Sequence, residues 1–138
     1  MARRQARETA LKSLFQVDIG KVPVEAAFDT VIKEFEVEEG AKQFARELVF
    51  GTVNHLKPID EIIRQVAVDW NLERMANVDR NILRLALFEI YYLPEVPNAV
   101  AVNEAVEMAK LYSTEESGKF VNGILGKVVA NPGDFFGL

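Results

Sequence analysis

The stretch VDRNILRLALFEIYY, residues 78–92, decides the fold class. Its apolar residues Val78, Ile82, Leu83, Leu85, Ala86, Leu87 and Ile90 recur at helical steps and come close to encircling the axis. A helix that is apolar on nearly every side is one that others pack around, so this segment is expected at the centre of the core. No run alternates apolar and polar residues long enough for a strand. The nearest, residues 96–102, has Val96, Val100 and Val102 in one parity but contains Pro97. With 138 residues, 49% of them hydrophobic and 27% charged, the chain can bury a core and is too hydrophobic to stay disordered.

Outward from this centre the same periodicity continues. Residues 4–18 read as an amphipathic helix with Ala6, Ala10, Leu11, Leu14, Phe15 and Val17 on one face, closed by Gly20 and Pro23. Residues 24–37 form a second, on Ala27, Phe28, Val31, Ile32 and Phe35, broken at Gly40; residues 41–56 form a third. Pro58 suits the first turn of a fourth, whose face is Ile59, Ile62, Ile63 and Val66. Between Trp70 and Asn77 the chain is irregular or makes one short helical turn. Residues 101–112 give a sixth helix, and Ser113 with Glu116 has the form of a capping box opening a seventh that ends at Asn131-Pro132-Gly133. The expectation is an all-α chain: a single domain of about seven helices in two packed sub-bundles, over residues 1–130, with residues 131–138 as a tail.

Composition excludes several function classes. Without cysteine there are no disulfides and no cysteine-based zinc, iron–sulfur or nucleophilic chemistry. No apolar run reaches the roughly 18 residues of a membrane span. The basic start is not followed by an apolar stretch, so it does not read as a secretory signal, and a cytoplasmic protein is expected. His55 stands alone, in no metal-ligand spacing, and is expected on a helix at or near the surface. The adjacent pairs Asp60-Glu61 and Glu115-Glu116 point in different directions on a helix and read as helix-start charges, not an acid/base dyad. Neither catalytic residues nor a metal site nor a cofactor is expected.

Charge is unevenly placed. The net charge is −5, and residues 24–47 carry seven acidic against three basic side chains. Residues 1–12 instead hold Arg3, Arg4, Arg7 and Lys12 against Glu8 alone. Arg3 and Arg7, four apart, share a helix face, and guanidinium groups can bind phosphate in a fork. Cations at a helix N-terminus oppose its dipole, which favours a role toward a partner anion. Lys119-Phe120 offers a second platform, a ring for a base beside a cation for phosphate, although the spacing of Phe120 fits the core better. Asn103 and Asn122 fall inside helices, where each is expected to bond a neighbouring backbone or to mark a packed polar contact.

Three segments together resemble the NusB family of bacterial transcription antitermination factors. They are Arg3-Arg4-Gln5-Ala6-Arg7-Glu8-Thr9-Ala10, then Asp79 to Glu89 of the central helix, and then VNEAVEMAK (residues 102–110) with KFVNGIL (residues 119–125). The resemblance covers nearly the whole chain. It implies a helical, non-enzymatic protein without a cofactor that binds boxA RNA together with the ribosomal protein NusE. Such a complex joins the elongating RNA polymerase antitermination complex and supports rRNA synthesis. It implies RNA contact at Arg3, Arg4, Arg7, Lys119 and Phe120, with Glu116 close to that surface, and Lys12 extends the basic set. Asp79, Arg84 and Glu89 match a region that faces NusE. Gln5 interrupts the arginine run, and Gly118 weakens the start of the seventh helix.

The mechanism expected from this is a positive seam in which the N-terminal arginines and the start of the seventh helix lie side by side. Four phosphate contacts would give a salt slope of roughly −3 at ~0.7 per contact, modest enough for a second protein to matter. Two other readings stand beside it. One is an RNA-presenting domain of the kind found in rRNA cytosine methyltransferases, disfavoured by a chain ending at Leu138; the other is a protein-only interaction module. A homodimer through a face near Phe15, Phe28 or Phe35 is left open by the sequence.

Overall fold

Closely spaced small residues let three helices meet at the start of the chain. The computed structural model describes residues 2–135, which divide into two compact units, residues up to 54 and residues from 55 onward. In the first unit, α1 (Ala2–Gly20), α2 (Val24–Glu34) and α3 (Glu39–Asn54) pack pairwise. Ala6, Ala10, Ala27, Ala41 and Ala45 are wholly buried, and Leu11, Leu14, Phe28, Val31, Leu48 and Val49 fill the space between them. Phe28 is therefore core, edge-on to Phe50, whereas Phe15 and Phe35 are exposed.

The helix ends differ from the sequence reading for a specific reason. α2 stops at Glu34, three residues before the expected end, because Glu36 takes a left-handed φ of 47° and the Val37 N–H donates to the Ile32 carbonyl at 3.3 Å. This is a Schellman ending with Val37 buried as its apolar lock. Gly40 consequently lies inside α3 instead of breaking α2. α1 likewise ends in a left-handed residue, Lys21 at φ 56°, and Gly20 is its last helical position. Gln5 holds two helices together, since its Oε1 accepts from the Glu38 N–H at 3.2 Å, just ahead of α3.

In the second unit, α4 (Leu56–Val66), α6 (Asn98–Tyr112) and α7 (Glu115–Ala130) all pack on α5 (Asn77–Tyr92). Every residue of α5 from Asp79 to Glu89 is buried, so this helix is central to its unit as its pattern required. No strand occurs among the described residues, and 98–102 begin α6. A short 3-10 turn, Leu72–Arg74, precedes α5 and is fastened to it by Arg80, which donates to the carbonyls of Leu72 (3.1 Å) and Glu73 (3.3 Å) and to Asn77 Oδ1 (3.0 Å). The exposed pair Arg64–Glu73 (2.9 Å) ties the same turn to α4.

The expected Ser113–Glu116 capping box gives way to a simple N-cap one residue later, with Ser117 and not a Glu or Gln at the third helical position. Thr114, in extended conformation, is the N-cap of α7 and accepts from the Ser117 N–H at 3.0 Å, while Ser113 closes α6. Gly118 has a packing reason: a Cβ there would come within 2.9 Å of Lys110 Cγ on α6. Asn103 and Asn122 are exposed, which removes the packed-contact alternative for both. A second 3-10 turn, Pro132–Asp134, is held by the Tyr91 hydroxyl donating to the Pro132 carbonyl at 2.7 Å. The remainder of the expected tail, residues 136–138, lies outside the described residues.

Candidate nucleic-acid interface

The basic residues of α1 are organised by aromatic rings. The Arg3 guanidinium carbon lies 3.9 Å from the centroid of Phe44 on α3, and that of Arg7 lies 5.5 Å from the same ring. The four-residue spacing thus brings both onto one face, where the ring quadrupole attracts the cations. Their exposure differs. Arg3 and Arg4 are exposed, but Arg7 is only 3% accessible, so its guanidinium belongs to the interior beside Phe44 and does not front the solvent. Lys12 is half-buried with Nζ 4.0 Å from the Phe35 centroid.

The second unit contains a concave site. A cavity of about 470 Å³ is lined by Trp70, Arg74, Met75, Ala76, Asp79, Glu116, Ser117, Lys119 and Phe120. That volume falls within the range of about 300–1,000 Å³ that holds small ligands. Trp70 (58% exposed) and half-buried Phe120 meet edge to face, centroids 5.1 Å apart and planes at 67°. The two rings form a corner in which a flat ligand can lie on one ring and abut the other. Phe120 is thereby a wall of the cavity and not core. Lys119 Nζ lies 3.6 Å from Glu116 Oε1, with both side chains well exposed. Such a pair is weak and screened, so Lys119 can exchange Glu116 for a phosphate at little cost.

Asp79 forms the floor on the α5 side. Its Oδ2 accepts from the Ser117 hydroxyl at 3.3 Å, and Ser117 is also hydrogen-bonded to Ser113 Oγ at 2.8 Å. Burial pushes the Asp79 carboxyl above the usual range, and the Ser117 bond opposes this in part. Sequence reasoning singles out Lys119, Phe120 and Glu116 but misses Trp70 and Arg74. A lone tryptophan close to a cation, in a segment without apolar periodicity, is the signal that could have found them.

The residues assigned to a partner face are interior ones. Arg84 forks onto Asp60, Nε to Oδ1 at 2.8 Å and Nη2 to Oδ2 at 2.9 Å, and its Nη1 donates to Asn81 Oδ1 at 3.2 Å. Glu89 is 1% exposed, and Asp79 is buried under α7. A helix encircled by its neighbours turns its polar side chains toward them, which is why Arg84 and Glu89 do not front the surface and Asp79 reaches only the cavity lining. Asp60 is correspondingly a buried ion-pair partner, not a helix-start charge. His55 is the N-cap residue of α4, half-buried and 4.0 Å from the Tyr92 ring. Among the described residues no group of three or more metal-ligating side chains is assembled, and no helix is long and apolar enough to cross a membrane.

Comparison with known proteins gives one consistent answer. The profile of the NusB family matches residues 4–130. The transcription antitermination protein NusB of Desulforamulus reducens is 50% identical over 131 residues, covering 95% of this chain and 92% of the relative. Among solved structures, T. maritima NusB superposes with a TM-score of 0.86 at 38% identity, covering 94% of this chain and 91% of that one. A structure of the antitermination factors NusB and NusE in complex with dsRNA superposes at 0.87 with 31% identity, covering 94% and 96%.

Proposed function

The chain belongs to the NusB family, and from that premise we propose that it is a transcription antitermination factor that binds boxA RNA together with the ribosomal protein NusE. In this role it joins the elongating RNA polymerase complex in the cytoplasm and supports rRNA transcription, acting by binding and not by catalysis. The observation that carries the reading is the aromatic corner of Trp70 and Phe120 with Lys119 beside it, a built stacking site on a chain of net charge −5. Stacking takes any base by its face, while exposed cations hold the backbone. Arg3 and Arg4 in the first unit, and Arg74 and Lys119 in the second, are the exposed cations for phosphate. Arg7 is assigned to holding the Phe44 ring.

Four such contacts correspond to a salt slope of roughly −3, which is thin for tight binding and gives NusE a physical purpose. A second RNA-contacting protein converts separate weak contacts into linked ones. The test is a salt titration of boxA binding, with and without NusE. Lys119→Ala should reduce the slope by about 0.7 and weaken all sequences alike, whereas Phe120→Ala should cost about 1–3 kcal/mol with little change in slope. Equal affinity for boxA and a scrambled RNA, or indifference to both substitutions, overturns the proposal.

A further inference from the structure

Ser117 stands where three helices meet. It is 8% exposed, and its hydroxyl donates to Asp79 Oδ2 on α5 at 3.3 Å. The same oxygen lies 2.8 Å from Ser113 Oγ, at the end of α6, and accepts from Thr114 Oγ1 at 3.3 Å. A hydroxyl has one proton to give and two lone pairs to fill, so the capacity of Ser117 is fully used. Its single proton goes to Asp79, which makes Ser113 the donor in the bond they share. The next residue, Gly118, has no side chain to displace the Lys110 stem of α6. The start of α7 is thereby held from α5 and from α6 at once.

Asp79 is the costly member of this network. It is 8% exposed, its Oδ1 has no hydrogen-bond partner among the described residues, and burial pushes its carboxyl above the usual range. A buried carboxylate with one idle oxygen subtracts from stability, so its benefit has to lie elsewhere. Resting on the RNA-binding reading above, we propose that Asp79 and Ser117 are positioning residues of the stacking corner, touching no RNA themselves and acting through Phe120. The connection is local. Phe120 follows Ser117 by three residues, on the same side of α7, and both line the cavity with Asp79. Fixing the first turn of α7 therefore fixes the ring that meets Trp70 at 67°. A satisfied polar network is rigid, and a ring already held in its binding geometry loses less entropy when a base arrives. The idle Oδ1 is compatible with this role, because the single bond from Oδ2 to Ser117 is the one that reaches α7.

The full-length protein is titrated with boxA RNA, followed by the fluorescence of Trp70, the only tryptophan of the chain. Ser117→Ala should weaken binding roughly three- to tenfold, the range for one side chain that has to be ordered on binding, with the salt slope unchanged because no phosphate contact is lost. Asp79→Asn and Asp79→Leu form a pair of equal charge, in which asparagine keeps an oxygen for Ser117 and leucine does not. The leucine variant should bind roughly three- to tenfold more weakly than the asparagine one. A purely structural role is separated by a double-mutant cycle: in a Phe120→Ala background both differences should shrink below about 1.5-fold, since the ring through which they act is gone. Unchanged affinity in Ser117→Ala, equal affinity of the two Asp79 variants, or losses that persist in full without Phe120 overturn the positioning role and leave the RNA reading standing. Absence of boxA binding by the unaltered protein overturns the RNA reading itself. Should Ser117→Ala fail to fold by far-UV circular dichroism, the Asp79 pair makes the same comparison.

Discussion

Removing Asp60 should unfasten the second unit from inside. Its carboxylate meets the Arg84 guanidinium through two parallel bonds of 2.8 and 2.9 Å, and only 11% and 13% of the two side chains remain accessible. In Asp60→Ala the guanidinium keeps its charge and its burial and loses its carboxylate. Breaking a buried pair from one side costs about 3–5 kcal/mol, against about 0–1 for a surface pair. Because a tenth of each side chain still touches water, the lower end, about 3 kcal/mol, is the expected value, or roughly 10 °C in Tm. The assay is urea unfolding followed by Trp70 fluorescence and far-UV circular dichroism. Asp60→Leu with Arg84→Met, which removes both charges, should recover most of the loss and should still bind NusE. A cost below about 1 kcal/mol for Asp60→Ala refutes the buried-pair account. A stably folded double variant that no longer binds NusE refutes it as well, because Arg84 would then be acting on the partner.

Three further outcomes follow from local geometry. Thr114→Ala should destabilise by about 1 kcal/mol through loss of the α7 cap, visible as a lower urea midpoint. Asp79 has a folded pKa above its unfolded one, so its contribution is full below the unfolded value and is lost as pH rises through the folded value. Asp79→Asn should therefore melt higher than the parent at neutral pH, and the difference should shrink as pH falls toward the unfolded pKa of about 3.9. Gly118→Ala should fail to deliver the usual helix-propensity gain of about 1 kcal/mol, because the methyl meets Lys110 Cγ at 2.9 Å; in a Lys110→Ala background the gain should appear in the urea midpoint.

The elements were legible wherever periodicity was unbroken. α5 announced its central position because apolar residues on every side leave few alternatives, and α4 was recognisable from four apolar residues and a first-turn proline. What escaped was punctuation. Sequence marks glycine as the left-handed residue, and here the positions that take that conformation are Lys21 and Glu36, held there by tertiary packing at some intrinsic cost. At the candidate site, Lys119 and Phe120 stood out as a pair, whereas Trp70 and Arg74 lie where no pattern aligns them and take their positions from tertiary contacts, the anchoring of the 72–74 turn by Arg80 and Arg64 and the packing of Trp70 on Phe120. Polar residues of the central helix were the hardest to read. Asp79, Arg84 and Glu89 have the same residue types whether they front a partner or satisfy one another, and burial alone separates the two cases.

Gln5 interrupts a run of arginines, and the clasp it makes with the Glu38 amide turns that interruption into a constraint on how the protein can change. Exchanging it for another arginine would add a positive charge just where an anionic strand is to be met, yet would release the start of α3, the helix that carries the Phe44 cushion under Arg3. Charge density and charge placement are thus set against each other at a single position. A mutational search for stronger transcript capture should find its gains at the outward-facing Arg4 end of the run, and losses at Gln5.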